Sequence, residues 1–208
     1  MTRKFLEKGY NGACFELGLE ARKKLRTNLL TFTNEVKILD ALKELGSQTF
    51  DYLLTFEVLE HIENDLETLL EWSSYLKPGG TILLSVPAHQ KKYGKSDELV
   101  GHVRRYERAD ILSLLQCAGY DNIELINYGF PVSEISRPVS NIIAKRDTPD
   151  KALSMQELSL QSSHSRQQRI RNVINFIGER PVLPFRSVQR MFYNRDWGDG
   201  IIATAKKK

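Results

Sequence analysis

The residues best suited to chemistry in this sequence lie in two short runs. Glu57-x-x-Glu60-His61 sets two carboxylates and an imidazole within five positions. Such a set suits Mg²⁺, Mn²⁺ or Zn²⁺, and a metal beside a hydroxyl would lower its pKa. The same residues serve equally as a hydrogen-bonded floor, with Glu60 and His61 orienting the loop, and His61 can also act as a general base. No fourth ligand is evident, so a metal on Glu57, Glu60 and His61 is not the favoured reading. The second run, Gly101-His102-Val103-Arg104-Arg105-Tyr106, adds another imidazole and two guanidiniums. Arg104 or Arg105 can grip a carboxylate or phosphate bidentately, or one can pair with Asp97 or Glu98 and simply pin the loop. Neighbours in an extended loop point opposite ways, so one arginine would grip; Arg104, two residues from His102, is the candidate. His102 is preferred to His89 for substrate contact because it lies inside this run.

These residues need a scaffold. Phe50–Phe56 is a short β-rich apolar run, as expected of a buried strand. Asn64 as N-cap with Glu67 three residues on predicts a capping box, and Leu66, Leu69, Leu70 and Leu76 fall at helical spacing. Lys77-Pro78-Gly79-Gly80 should stop that helix and turn the chain into a strand over Thr81–Val86. Two buried strands joined by an amphipathic helix make a parallel crossover unit. Upstream, a helix over Arg3–Lys8 stopped at Gly9 precedes strands at Gly12–Leu17 and Val36–Asp40. Between them a helix over Glu20–Leu30 should bury Ala21, Leu25 and Leu29 and turn Arg22, Lys23, Lys24 and Arg26 to solvent. Strands alternating with helices predict an α/β, doubly wound sheet whose ligands sit at the strand carboxyl ends. Glu16 and Asp40 occupy two such ends. One carboxylate there can accept from vicinal hydroxyls and another from an exocyclic amine.

The ordered set of Phe-Asp-apolar-apolar, Glu-Val-Leu-Glu-His-Ile, a helix, Leu-Lys-Pro-Gly-Gly and a strand resembles class I S-adenosylmethionine-dependent methyltransferases. It is most similar to the small-molecule branch that includes the ubiquinone-biosynthesis O-methyltransferases. The resemblance implies a Rossmann-like, mostly parallel sheet with an antiparallel last strand. Ile201–Ala205 would be that strand, paired with Ile123–Tyr128 at the sheet edge. It implies S-adenosylmethionine as cofactor, with Glu16 on the ribose, Asp40 on the adenine and Ala41 and Phe56 beside them. His61, His102 and Arg104 are the candidate catalytic residues on their own chemistry, and some relatives use a motif like Glu57, Glu60 and His61 to bind a divalent metal. One departure is plain: the family's first strand and its G-x-G-x-G turn should precede Arg3, and Gly9, Gly12 and Gly18 do not rebuild them. The Gly12 and Phe50 strands are therefore expected to face a gap, in a chain incomplete at its N-terminus.

The rest of the chain bounds the function. Ala88–Tyr106 is too long and polar for an ordinary strand–helix connection and should face substrate. Asp110–Cys117 predicts a helix ended at Gly119. A single domain over 1–208 is expected, with a helical insertion or lid over 133–195 whose 173–195 part can touch a membrane surface or cover an apolar acceptor. A net charge of +4 without interleaved basic and aromatic residues argues against nucleic acid. Two cysteines, no secretory leader and no span-length apolar run place the chain in the cytoplasm. The expected activity is methyl transfer to oxygen or nitrogen of a small molecule, a lipid- or sugar-linked one included. The alternative is an inactive scaffold or partner subunit that keeps the fold.

Overall fold

The structure is a computed structural model that describes residues 2–131, 133–134 and 189–208. They fall into two compact units, Met1–Gln48 and Thr49–Lys208. In the first unit, helix α1 (Thr2–Leu6) is followed by Gly9 at φ +86°, the left-handed turn that only glycine adopts freely. Strand β1 (Gly12–Phe15) runs parallel to β2 (Val36–Leu39), and helix α2 (Leu19–Asn28) is the crossover. Leu6, Leu29 and Val36 form its small core, with Cys14, Leu25, Phe32 and Ile38 packed against them. Phe15 is registered with Leu39, so the next residues, Glu16 and Asp40, emerge side by side at the carboxyl ends.

Arg22 does not turn to solvent as the helix pattern predicts. Its side chain is 14% exposed and lies over the strand ends, donating to the main-chain carbonyls of Glu16 (3.2 Å) and Asp40 (3.0 Å). Main-chain oxygens freed where both strands stop need donors, and a long guanidinium on the adjacent helix supplies them.

The second unit holds strands β3 (Phe50–Phe56), β4 (Leu76–Pro87), β5 (Tyr120–Tyr128) and β6 (Gly200–Lys207) in the order β3-β4-β6-β5. β3 is parallel to β4, and β6 is antiparallel to both β4 and β5. The mixed, mostly parallel sheet with an antiparallel last strand is the one expected. β6 pairs with β5, the edge strand, as expected, and its other side pairs with β4. The reason is in the residues: Gly200 to Ala205 carries no charge, and its burial alternates between full and partial, as suits an interior strand. Among the described residues β1 bonds only to β2, and β3 only to β4.

Helices α3 (Asp65–Ser74) and α5 (Arg108–Cys117) supply Leu69, Ile111 and Leu115 to one core with Ile82, Leu84 and Val86 of β4 and Ile201, Ala203 and Ala205 of β6. Full burial of each such leucine, isoleucine or valine contributes about 1.5–3 kcal/mol. The apolar stripe of α3 is narrower than its leucines predict. Leu69 is buried, but Leu66 and Leu70 are 37% and 49% exposed, because the buried line runs through Leu69, Trp72 and Ser73 instead. Asn64 stands at the N-cap, yet its side chain makes no cap bond and donates to Glu67 Oε2 at 3.2 Å. Lys77–Gly80 turns the chain inside β4. From Phe50 to Tyr52 on β3, the partner advances from Leu76 to Thr81, a bulge that Gly79 at φ +75° permits. A short helix α4 (Lys95–Val100) ends at Gly101, φ +81°, inside the long polar connection. The expected insertion over 133–195, with its 173–195 contact surface, lies outside the described residues apart from 133–134 and 189–195. No helix among the described residues is long and apolar enough to cross a membrane.

Candidate active site

The carboxyl end of β3 shapes the site. Glu57 follows the strand at φ +54°, a left-handed conformation that a side chain seldom adopts. It is held there by its N–H on the Ser85 carbonyl (3.0 Å) and by its carboxylate, which accepts from Ser85 Oγ and Tyr128 Oη, both at 2.8 Å. That reversal starts the tight turn Leu59–His61, which drives Glu60 inward. Glu60 is completely buried, and neither of its oxygens has a hydrogen-bond partner among the described residues. Burial first, and then the charge of Glu57, push its pKa up to about 8.

Two imidazoles face this carboxyl. His61 Nδ1 is 3.0 Å from the Gly101 carbonyl, and His102 Nδ1 is 3.0 Å from Asp97 Oδ1. A carbonyl only accepts, so His61 carries its proton on Nδ1. Its Nε2 lies 3.7 Å from Glu60 Oε1, and His102 Nε2 lies 3.6 Å from the same oxygen. The rings meet edge-on, with centroids 4.8 Å apart. Burial holds the His61 pKa below its ordinary value. The loop that brings His102 here is fastened to the turn by Val103 N–H on the Glu60 carbonyl at 2.8 Å.

Metal-capable atoms of Glu60, His61 and His102 all lie within 4.8 Å of one another. The sequence motif pointed to Glu57 instead of His102. The structure commits Glu57 to Ser85 and Tyr128 and substitutes an imidazole that is distant in sequence. The separations of 3.6 and 3.7 Å are too long for hydrogen bonds. They are near the ligand–ligand edge of a tetrahedral site, about 3.4 Å for bonds of about 2.1 Å. A buried carboxylate with orphaned oxygens between two nitrogens therefore fits a borderline divalent ion as well as it fits a proton.

The arginines are engaged within the protein. Arg104 donates to Asp65 Oδ2 and to the Glu63 carbonyl, both at 2.8 Å. Arg105 is buried and reaches Asp97 (2.9 Å from Nε), Asp199 Oδ1 (2.8 Å) and the Ala88 carbonyl (3.1 Å). Of the two readings of this pair, the contacts match the pinned loop. His89 lies apart from Glu60, 5% exposed, with Nδ1 3.1 Å from Glu107 and Nε2 3.8 Å from Asp196. Sequence reasoning gave no role to Ser85 or Tyr128 and considered Asp97 only as an arginine's partner. The spacing Asp97 to His102, across a short helix ended by glycine, was the signal available.

In the first unit Glu16 Oε1 accepts the Gly18 N–H at 2.9 Å, and Oε2 takes no hydrogen bond among the described residues. Arg26 reaches Asp40 Oδ1 at 2.8 Å, and Arg22 Nε lies 3.1 Å from the same oxygen without hydrogen-bond alignment. Ala41 opens the short turn Leu42–Leu45, and Phe56 is the last residue of β3. Two carboxylates at adjacent strand ends, one with an open oxygen, fit the hydroxyls and amine of a nucleoside.

Sheet order, antiparallel β6 and strand-end carboxylates together define the Rossmann-like methyltransferase fold. The family model for the methyltransferase domain matches residues 1–125, and the chain belongs to that family of methyltransferases. Solved structures agree on the fold. The YcgJ protein from Bacillus subtilis is 14% identical, with a TM-score of 0.57 over 95% of this chain and 82% of its own. The 1,6-didemethyltoxoflavin-N1-methyltransferase of Burkholderia thailandensis, solved with 1,6-didemethyltoxoflavin and S-adenosylhomocysteine, is 15% identical, with a TM-score of 0.53 over 100% and 65%. A SAM-dependent methyltransferase from Thermotoga maritima is 12% identical, with a TM-score of 0.51 over 95% and 82%. Among curated proteins there is no match.

Proposed function

We propose that this methyltransferase acts on a hydroxyl or amine of a small molecule and that His61 and His102 receive the acceptor's proton. The observation that carries the proposal is the convergence of two imidazole nitrogens on a buried carboxyl beside the ends of β3 and β4. S-adenosylmethionine, when bound, supplies the electrophilic methyl group. Glu16 and Asp40, with Ala41, would hold its nucleoside. Nε2 of His102 or His61 would take the acceptor's proton and so free its lone pair for the methyl group, whose bond to sulfur would break as S-adenosylhomocysteine leaves. Orientation is most of the remaining work, because displacement at a sulfonium needs little covalent help. Arg104, occupied by Asp65, acts as a strut for the loop. The 1,6-didemethyltoxoflavin named for one structural relative supports a small-molecule acceptor; a lipid- or sugar-linked one is a narrower form of the same proposal.

The orphaned Glu60 favours a second reading of the same atoms. Glu60, His61 and His102 would hold a divalent metal, which would acidify a bound hydroxyl.

The test is methyl transfer from tritiated S-adenosylmethionine to 3,4-dihydroxybenzoate, tyramine and histamine, with and without prior dialysis against a chelator. Transfer to any of the three that His102→Gln lowers by on the order of 100-fold is expected. Loss on chelation with recovery on adding Zn²⁺ or Mn²⁺ would favour the metal. No transfer, together with no calorimetric binding of S-adenosylmethionine, would leave the inactive scaffold standing.

A further inference from the structure

We infer that Asp97 is a positioning residue that fixes the tautomer of His102, and that Arg105 and Asp199 hold Asp97 to that role. The inference rests on the reading of His102 as proton acceptor. It begins with what Asp97 receives. Arg105 Nε donates to Oδ1 at 2.9 Å, Arg105 Nη2 is 2.8 Å from the same oxygen, and the Gly94 N–H donates to Oδ2 at 2.9 Å. Every one of these neighbours is a donor, so both oxygens act as acceptors. The remaining contact, His102 Nδ1 at 3.0 Å, must then carry its hydrogen on the histidine. With Nδ1 protonated, the neutral ring presents a bare Nε2, and that nitrogen is the one 3.6 Å from Glu60. The opposite tautomer would present an N–H there and could take no proton from an acceptor.

The geometry grips His102 twice, because its own N–H also donates to the Asp97 carbonyl at 3.0 Å. Ring and main chain are thus referred to one residue of α4. Asp97 and Arg105 are buried, 2% and 7% exposed. The second arm of the Arg105 fork goes to Asp199 Oδ1 at 2.8 Å, immediately before β6. The line Asp199–Arg105–Asp97–His102 therefore ties the ring to the sheet. A point charge such as lysine could not replace the fork, since it cannot address two carboxylates in fixed directions.

The experiment reads the tautomer directly. Long-range ¹H–¹⁵N spectra of ¹⁵N-histidine-labelled protein, with His102 assigned by loss of its signals in His102→Gln, should show Nδ1–H and an unprotonated Nε2. Asp97→Ala should convert His102 wholly or partly to Nε2–H. With 3,4-dihydroxybenzoate as acceptor it should lower kcat on the order of 100-fold while KM stays within about twofold. Asp97→Asn keeps an acceptor oxygen for His102 but sets its NH2 group against the Gly94 N–H, so it should recover the Nδ1–H form and the rate only in part, and more than Asp97→Ala. A wild-type spectrum showing Nε2–H overturns the inference, whether or not either variant folds. So does Asp97→Ala that changes the tautomer and leaves kcat untouched. Dihydroxybenzoate left unmethylated by the wild type counts against this acceptor reading, and the tautomer spectrum still decides the role of Asp97.

Discussion

Burial first, and then the nearby charge of Glu57, raise the Glu60 pKa to about 8 from an unfolded value near 4.5. The folded chain therefore binds that proton more tightly than the unfolded chain. Its contribution to stability is fully present below about pH 4.5, declines through the window up to about pH 8 and is absent above it. Glu60→Gln keeps the volume and removes the titration. In metal-free buffer the melting temperature of the wild type, minus that of Glu60→Gln, should fall steadily from pH 5 to pH 8.5. A flat difference across that range would mean that Glu60 ionises like a surface carboxylate. At the other unit, Glu16→Ala removes the acceptor with the open oxygen. Loss of a hydrogen bond to a charged group, about 1.5–3 kcal/mol, should weaken calorimetric S-adenosylmethionine binding by about 10- to 100-fold. An unchanged dissociation constant would remove Glu16 from the cofactor site.

Elements carry two further tests. The Cβ of an alanine at 200 would stand 2.2 Å from Cζ of Tyr128, whose hydroxyl is tied to Glu57. The ring cannot swing aside without releasing that bond, so Gly200→Ala should lower stability by about 1–3 kcal/mol in urea titrations. A midpoint within error of wild type would show that β5 and β6 slide apart easily. In Arg104→Lys one of the two bonds, to Asp65 or to the Glu63 carbonyl, is lost. Early melting with the acceptor KM scarcely moved is expected, and a several-fold rise in KM without early melting would reinstate the anion clamp. The elements themselves were largely legible: Phe50–Phe56 and the glycine stops at Gly9 and Gly119 follow from local residue preferences. What local preference could not supply was the third dimension. The partnership of Glu60 with His102 and the placement of β6 between β4 and β5 depend on chain returns of some forty and seventy residues or more. Arg22 was misjudged for the same reason, since a helical repeat shows which residues are polar and not which polar residue finds a strand end.

At the scale of the molecule the two units differ in how much they bury. Among the described residues the core of Thr49–Lys208 gathers fifteen buried residues and that of Met1–Gln48 three. Amide exchange followed by mass spectrometry should accordingly show β1 and β2 exchanging well before β4 and β6. Equal protection would mean that the small core is reinforced by contacts other than its own. The order of synthesis adds something to this picture. β4 is made early, but the strand that covers its inner edge, β6, is made more than one hundred residues later, together with the aspartate that steadies Arg105. A nascent chain therefore carries Ile82, Leu84 and Val86 with one flank open until the residues of β6 are made. Ribosome-arrested chains stopped short of Asp199 should bind a holding chaperone, and those extended past Lys207 and clear of the exit tunnel should not. The histidine site is in this sense a late product of synthesis, completed by residues that take no part in its chemistry.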